Sequence, residues 1–238
     1  MTLPTFDAAS SGPFGDAVTS ETFPHTVGSG PNRYLLVGIG WAFNAATYRS
    51  MVGGSVTYNG VAMTLVLDSG PSSQDRARTL VYELKNAPSG THNVVVTLGS
   101  GTGDARTDVV AISWSDVDQT TPILHQASFV DAGGSVVSSV GQVVVAFYFV
   151  GSGAVVSTGQ TVRASQASSG GATEGTMTVA TMPSTAGTTT IPDPGAVDDS
   201  ATVMFELQGT SGGGGGGAVK IKQSLSRGIL RGIFRGIR

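Results

Sequence analysis

The chain has no cysteine, only three histidines and few charges; Asp, Glu, Lys and Arg together make up 12% of its 238 residues. Without cysteine there is neither a disulfide nor a thiolate metal site. His25, His92 and His125 are scattered, and no His-x-His or Glu-x-x-His pair occurs to seed a zinc site. Long apolar runs are also missing. The longest, Val143–Val150, is far shorter than the roughly 20 residues a helix needs to cross a bilayer. The opening Met-Thr-Leu-Pro-Thr-Phe-Asp has neither the basic nor the apolar segment of a secretory signal, so export by a cleaved leader is not expected. No window before residue 220 carries a 3.6-residue period.

What is present is glycine, 35 residues of it, among small polar residues and recurring Val, Ile and Leu. That is the composition of strands joined by tight turns. Alternating or β-branched runs predict strands near Ala17–Val27, Arg33–Phe43, Ser55–Tyr58, Ala62–Asp68, Thr79–Lys85, Asn93–Leu98 and Thr107–Ser115. Others follow near Ile123–Val130, Ser135–Ser139, Gln142–Val150, Gln160–Ser165, Thr176–Met182 and Thr202–Leu207. Asn59-Gly60 between two such runs calls for a type I′ hairpin, because both residues tolerate positive φ. Pro88-Ser89-Gly90 predicts a second hairpin. Tyr34–Trp41 and Val143–Val150 are apolar on both faces, which places them mid-sandwich rather than at an edge. The fold expected is all-β, a two-sheet antiparallel β-sandwich or jelly roll formed by residues 1–211 as one body. No clean sequence repeat is visible, and a domain break near Gln119–Pro122 is not favoured.

The end of the chain differs. Residues 212–217 are six glycines, a flexible linker with a reach of roughly 13 Å. Residues 218–238 hold Lys220, Lys222, Arg227, Arg231, Arg235 and Arg238 and no acid, whereas the body has seven basic residues against all 16 acids, a net −9. An acidic body with a basic tail reads as a domain plus a docking arm. The tail repeats Arg-Gly-Ile-X. On a helix, Arg227, Arg231 and Arg235 form one stripe, and Ile229, Ile233 and Ile237 another, with Leu230 and Phe234 beside it. A glycine in every repeat costs about 1 kcal/mol each against alanine, so the arm is expected to fold only on a partner offering an apolar groove and acids. Basic residues and apolar stripe together form the expected partner-binding surface.

No catalytic group emerges. Gly209-Thr210-Ser211-Gly212-Gly213 matches a nucleophile elbow but runs into glycine instead of a helix. Gly99–Asp104 lacks the Lys-Ser/Thr of a phosphate loop. Asp116, Asp118, Asp193, Asp198 and Asp199 read as solvated turn formers, with Ca²⁺ binding as the alternative. Trp41, Tyr48, Tyr58, Tyr82, Trp114 and Tyr148 could line a sugar platform. Trp41 and Trp114 lie in strongly apolar strands, where aromatics are more often core residues, so the sugar reading rests chiefly on Tyr48. The chain is expected to be no enzyme and to use no cofactor or metal. For the arm, the glycines argue against a membrane-surface helix, and six charges on an acidic body argue against nucleic acid. Protein docking remains.

Phe6-Asp7-Ala8-Ala9, Asn32–Val37, Val56–Thr64, Leu84–Val96 and Val117-Asp118-Gln119-Thr120-Thr121-Pro122 resemble a β-sandwich module of tailed-bacteriophage genomes, over roughly residues 5–207. The glycine linker with basic Arg-Gly-Ile repeats is similar to C-termini on such proteins. The resemblance implies a virion structural protein, assembled in the host cytoplasm. The types it implies are capsid decoration or cement protein, head fibre or tail component. Its partners would be major capsid or tail subunits, and it would form a homo-oligomer, a trimer by analogy. The runner-up is a carbohydrate- or receptor-binding β-sandwich of a phage tail or fibre; a jelly-roll hydrolase stands last.

Overall fold

The computed structural model describes residues 1–13, 19–42, 51, 54–71, 77–99, 106–151, 159–167, 175–191 and 200–210. Among them are sixteen strands, paired antiparallel, and no helix. The first nine strands are β1 (Thr5–Pro13), β2 (Ser20–Val27), β3 (Tyr34–Ala42), β4 (Ser55–Tyr58), β5 (Val61–Ala62), β6 (Thr64–Asp68), β7 (Ala77–Lys85), β8 (Gly90–Thr97) and β9 (Arg106–Ser115). They form a large sheet, β1-β9-β3-β7-β6, and an outer sheet, β2-β8-β4-β5. The remaining strands are β10 (Ile123–Val130), β11 (Gly134–Ser138), β12 (Val143–Val150), β13 (Thr161–Ala167), β14 (Thr176–Pro183), β15 (Gly187–Ile191) and β16 (Ser200–Leu207). They form a second large sheet, β10-β16-β12-β14-β13, and a two-stranded outer sheet, β11-β15.

Three cores separate four layers. Leu35, Val37, Ile39 and Trp41 of β3 point toward Phe23, Val56, Tyr58, Val94 and Val96 of the first outer sheet. Tyr34 and Leu36, on the opposite face of β3, join Val110, Ile112 and Trp114 of β9 against Val145, Phe147, Phe149, Val203 and Phe205 of the second large sheet. Val144, Ala146 and Tyr148 of β12 face away again, onto Val136 of β11 and Ile191 of β15. The fold is thus all-β and sandwich-like, but with four sheets where the sequence predicts two. The unbroken apolarity of β3 and β12 has a simple cause: each is the centre of an inner layer, with a core on either face.

The middle core is closed by unequal partners. A Cβ on Gly38 would collide with the Phe147 ring, and one on Gly40 with that of Phe149. Two glycines in β3 therefore leave notches that two β12 phenylalanines fill. Phe147 also stacks on Phe205 with ring centroids 6.3 Å apart.

The Asn59-Gly60 hairpin is present, with φ of +51° and +74°, and β4 pairs with β5 across it. Pro88-Ser89-Gly90 does not close a hairpin. β7 pairs with β3 and β6, and β8 with β2 and β4, so the turn is a corner that carries the chain from one sheet to another. The predicted Ala62–Asp68 strand is divided at Met63, which is buried in the first core. Two strands had no sequence signal: β1, TFDAASSGP, and β15, GTTTI. Small residues suit β1, because a Cβ on its Gly12 would strike Phe23 of β2.

Candidate functional site

The expected docking residues, Lys220 through Arg238, and the glycine linker all lie outside the described residues. The structure does fix the place from which they depart. Beyond β16 the chain is held on both sides. Gln208 donates its N–H to Pro122 O at 2.8 Å, Thr210 to Asp116 O at 2.9 Å, and Asp118 to Gln208 O at 2.9 Å. Val117 and Gly209 form an isolated bridge, and the buried Gln142 Oε1 accepts the Gly209 N–H at 2.9 Å. Thr2 then donates to Thr210 O at 2.8 Å. The start of the chain, the β9–β10 connection and the end of the body therefore meet at one pole. Exposed Met1, Leu3 and Val140 surround it; Gly141 lies beside Leu3, and Gln142 Nε2 approaches Met1 Sδ.

The connection itself is tightly bonded. Asp118 Oδ1 accepts the N–H groups of Thr120 and Thr121 at 2.8 and 2.9 Å. Gln119 takes the Asn86 N–H and donates to the carbonyls of Asn32 and Val117. Asp118 is thus engaged as a turn former, the role its sequence suggests. Among the described residues no group of three His, Asp or Glu is placed to hold a metal ion; Asp193, Asp198 and Asp199 lie outside them. Ser211 and most of Gly99–Asp104 also lie outside.

The histidines occupy three environments. His25 is buried beside the first core, Nδ1 2.8 Å from Ser10 Oγ and Nε2 without a partner. Burial lowers its pKa to about 4, against a smaller opposing pull from Asp7. His92 sits opposite it on β8, edge-on to Tyr58 with centroids 5.5 Å apart. His125, on the edge strand β10, places Nδ1 2.7 Å from Oε2 of Glu206, a carboxylate with no exposed surface. Glu206 Oε1 accepts the Ser139 N–H at 2.5 Å. In the first half, Asp7 Oδ2 accepts the Gly28 N–H at 2.7 Å and the Ser113 hydroxyl at 2.8 Å. Neither carboxylate was singled out in sequence as a site; each acts as a clamp on the end of an outer-sheet strand.

Five of the six candidate sugar-platform aromatics are buried: Trp41, Tyr58, Tyr82, Trp114 and Tyr148. Tyr48 lies outside the described residues. Tyr58 spends its hydroxyl on Gly90 O at 2.9 Å, and the Tyr148 hydroxyl bonds Gln160. The outer face of the β2-β8-β4-β5 sheet is polar instead. There Thr57, Asn59, Gly60, Thr91, His92, Asn93 and Val95 line an open depression of about 450 Å³ with no carboxylate, lysine or arginine.

No protein-family model, no curated protein and no solved structure matches the chain.

Proposed function

We propose that the chain is a structural protein of a tailed-phage virion, of the capsid decoration or cement type, whose β body faces solvent while its C-terminal arm attaches to a capsid or tail subunit. One observation carries this reading. The body ends at a pole where Thr210 is pinned between Asp116 and Thr2, so the glycine linker and the basic, apolar arm 218–238 continue from a fixed point on an acidic body. Attachment would couple folding to binding. Ile229, Leu230, Ile233, Phe234 and Ile237 would bury apolar area at about 25 cal/mol per Å², and Arg227, Arg231, Arg235 and Arg238 would pair with carboxylates. Ordering the arm opposes this, so a single arm would hold modestly and a trimeric body would multiply the attachment.

The test uses particles that lack the protein. Full-length chain and chain cut after Gly217 are mixed with them and pelleted. Sedimentation of the full-length form alone is the expected result; equal sedimentation of both assigns the contact to the β body and ends the arm reading.

A second reading, a carbohydrate- or receptor-binding sandwich, has the depression on β4 and β8 in its favour. Its hydroxyl and amide lining, without carboxylate, lysine or arginine, suits a neutral glycan. Glycan-array binding abolished by Thr91→Arg would support it, and an array without signal would remove it.

A further inference from the structure

The strand order of the second half repeats that of the first. Putting β10, β11, β12, β13, β14, β15 and β16 in place of β1, β2, β3, β6, β7, β8 and β9 converts β1-β9-β3-β7-β6 into β10-β16-β12-β14-β13, and the β2-β8 pair into β11-β15. Among the described residues only β4 and β5 lack a counterpart. The registers repeat as well. Tyr34 pairs with Trp114 on one side and Lys85 on the other; Val143 pairs with Leu207 and Pro183 in the same way.

With Tyr34 set on Val143, the irregular features coincide. Asn32 and Gly141, each two residues before the central strand, both have positive φ, +49° and +83°. Gly90 and Gly187 open β8 and β15 at +107° and +101°, opposite the last residues of β2 and β11. A bulge interrupts β1 on β9 between Phe6 and Ala8, and another interrupts β10 on β16 between Ile123 and Gln126. At those bulges stand Asp7, facing Ser113, and His125, facing Glu206; Ser113 and Glu206 are equivalent positions. In each pair the carboxylate takes the N–H of the residue following β2 or β11, Gly28 or Ser139. Two unrelated sandwiches could share a strand order by convergence. A shared bulge, two shared positive-φ positions and a shared strand-end clamp are specific features of one parent fold. The docking of the central strands is reciprocal too: β7 packs on β16 as β9 packs on β14, and β3 faces β12, the pattern of an isologous contact; at the edge, β13 packs more closely on β1 and β9 than its counterpart β6 does on β10 and β16.

From this we infer that the chain is two copies of one sandwich unit, residues 5–115 and 123–207, docked about a pseudo-twofold axis. The inner face of each large sheet is a homotypic docking surface, and its occupant is the other copy. Along the inner faces of β3 and β12 that contact keeps the equivalent residues unlike. Equivalent positions meet across the axis, and bulk on one side requires a gap on the other. Gly38 and Gly40 are the counterparts of Phe147 and Phe149 and are the residues those rings enter. Across Tyr34–Trp41 and Val143–Val150 no equivalent pair is identical.

Two circular permutants of the full chain test the units. Both join Thr210 to Met1 by a short Gly-Ser linker and keep residues 211–238 at the new C-terminus. One opens between Gln119 and Thr120 and exchanges the order of the units; the other opens between Ser89 and Gly90, inside the first. The exchanged order should melt within about 4 °C of the parent and the internal opening should lose several times that. Equal losses, or failure of the exchanged order to fold, would overturn the inference. The axis is tested by Gly38→Phe, Phe147→Gly and their combination. The pair should recover roughly half or more of the summed loss in midpoint, and additive losses would refute the twofold relation.

Discussion

His25 shows what burial does to a single titratable group. Its ring lies beside the first core with Ser10 as its one hydrogen-bond partner; Asp7 on β1, Tyr58 on β4 and His92 on β8 are the groups nearest it. The folded pKa of about 4 lies below the unfolded value of 6.5, so below pH 6.5 the unfolded chain binds a proton that the native one refuses. The stability contributed by the neutral ring is complete above pH 6.5 and drains away as the pH falls toward 4, by about 3 kcal/mol in all. Urea titrations across that window should show His25→Gln with a correspondingly flatter profile than the parent; parallel profiles would contradict the assignment. Glu206 is the second residue with a definite expectation. Glu206→Ala leaves the Ser139 N–H and the His125 ring without their acceptor and should cost about 2 kcal/mol, read as a lower urea midpoint. Sequence pointed to His25 and His125 only as scattered histidines. Their partners come from strands distant in sequence, and no spacing rule brings His125 and Glu206 together.

At the scale of elements, local chemistry and packing part company. The Asn59-Gly60 turn is written in two residues, because only positive φ at both lets a two-residue loop follow the strand twist. Gly60→Ala meets no neighbouring atom, so it should cost only the backbone strain, about 1 kcal/mol. Gly38→Ala meets the Phe147 ring and should cost more than Gly60→Ala in the same chemical denaturation; the reverse order would mean that β3 and β12 are not packed as described. Strands with a hydrophobic alternation were legible, and so were the two that are apolar on both faces. β1 and β15 were not, since alanine, serine, glycine and threonine carry no period; pairing with β9 and with β11 makes them strands. Pro88-Ser89-Gly90 was legible as a turn but not as a change of sheet, because turn residues fix the reversal and not the partner.

At the scale of the whole molecule, the shared middle core should make the halves unfold together. Both tryptophans, Trp41 and Trp114, belong to the first half, and Phe147 belongs to the second. Phe147→Ala should therefore cost about 3–5 kcal/mol of stability and lower the unfolding midpoint reported by tryptophan fluorescence; an unchanged fluorescence midpoint would separate the halves. Composition, turn pairs and apolar alternation determined by themselves that the chain is an antiparallel β protein, because those signals act over a few residues. They also marked the basic arm, whose repeat is a property of the sequence alone. The stacking of four layers, the clamps of Asp7 and Glu206, the meeting of Thr2 with Thr210 and the correspondence of the two halves were decided by tertiary structure. Each depends on residues far apart in the chain, and the contact between the halves has made their equivalent residues different, glycine against phenylalanine, where a sequence repeat would need them alike.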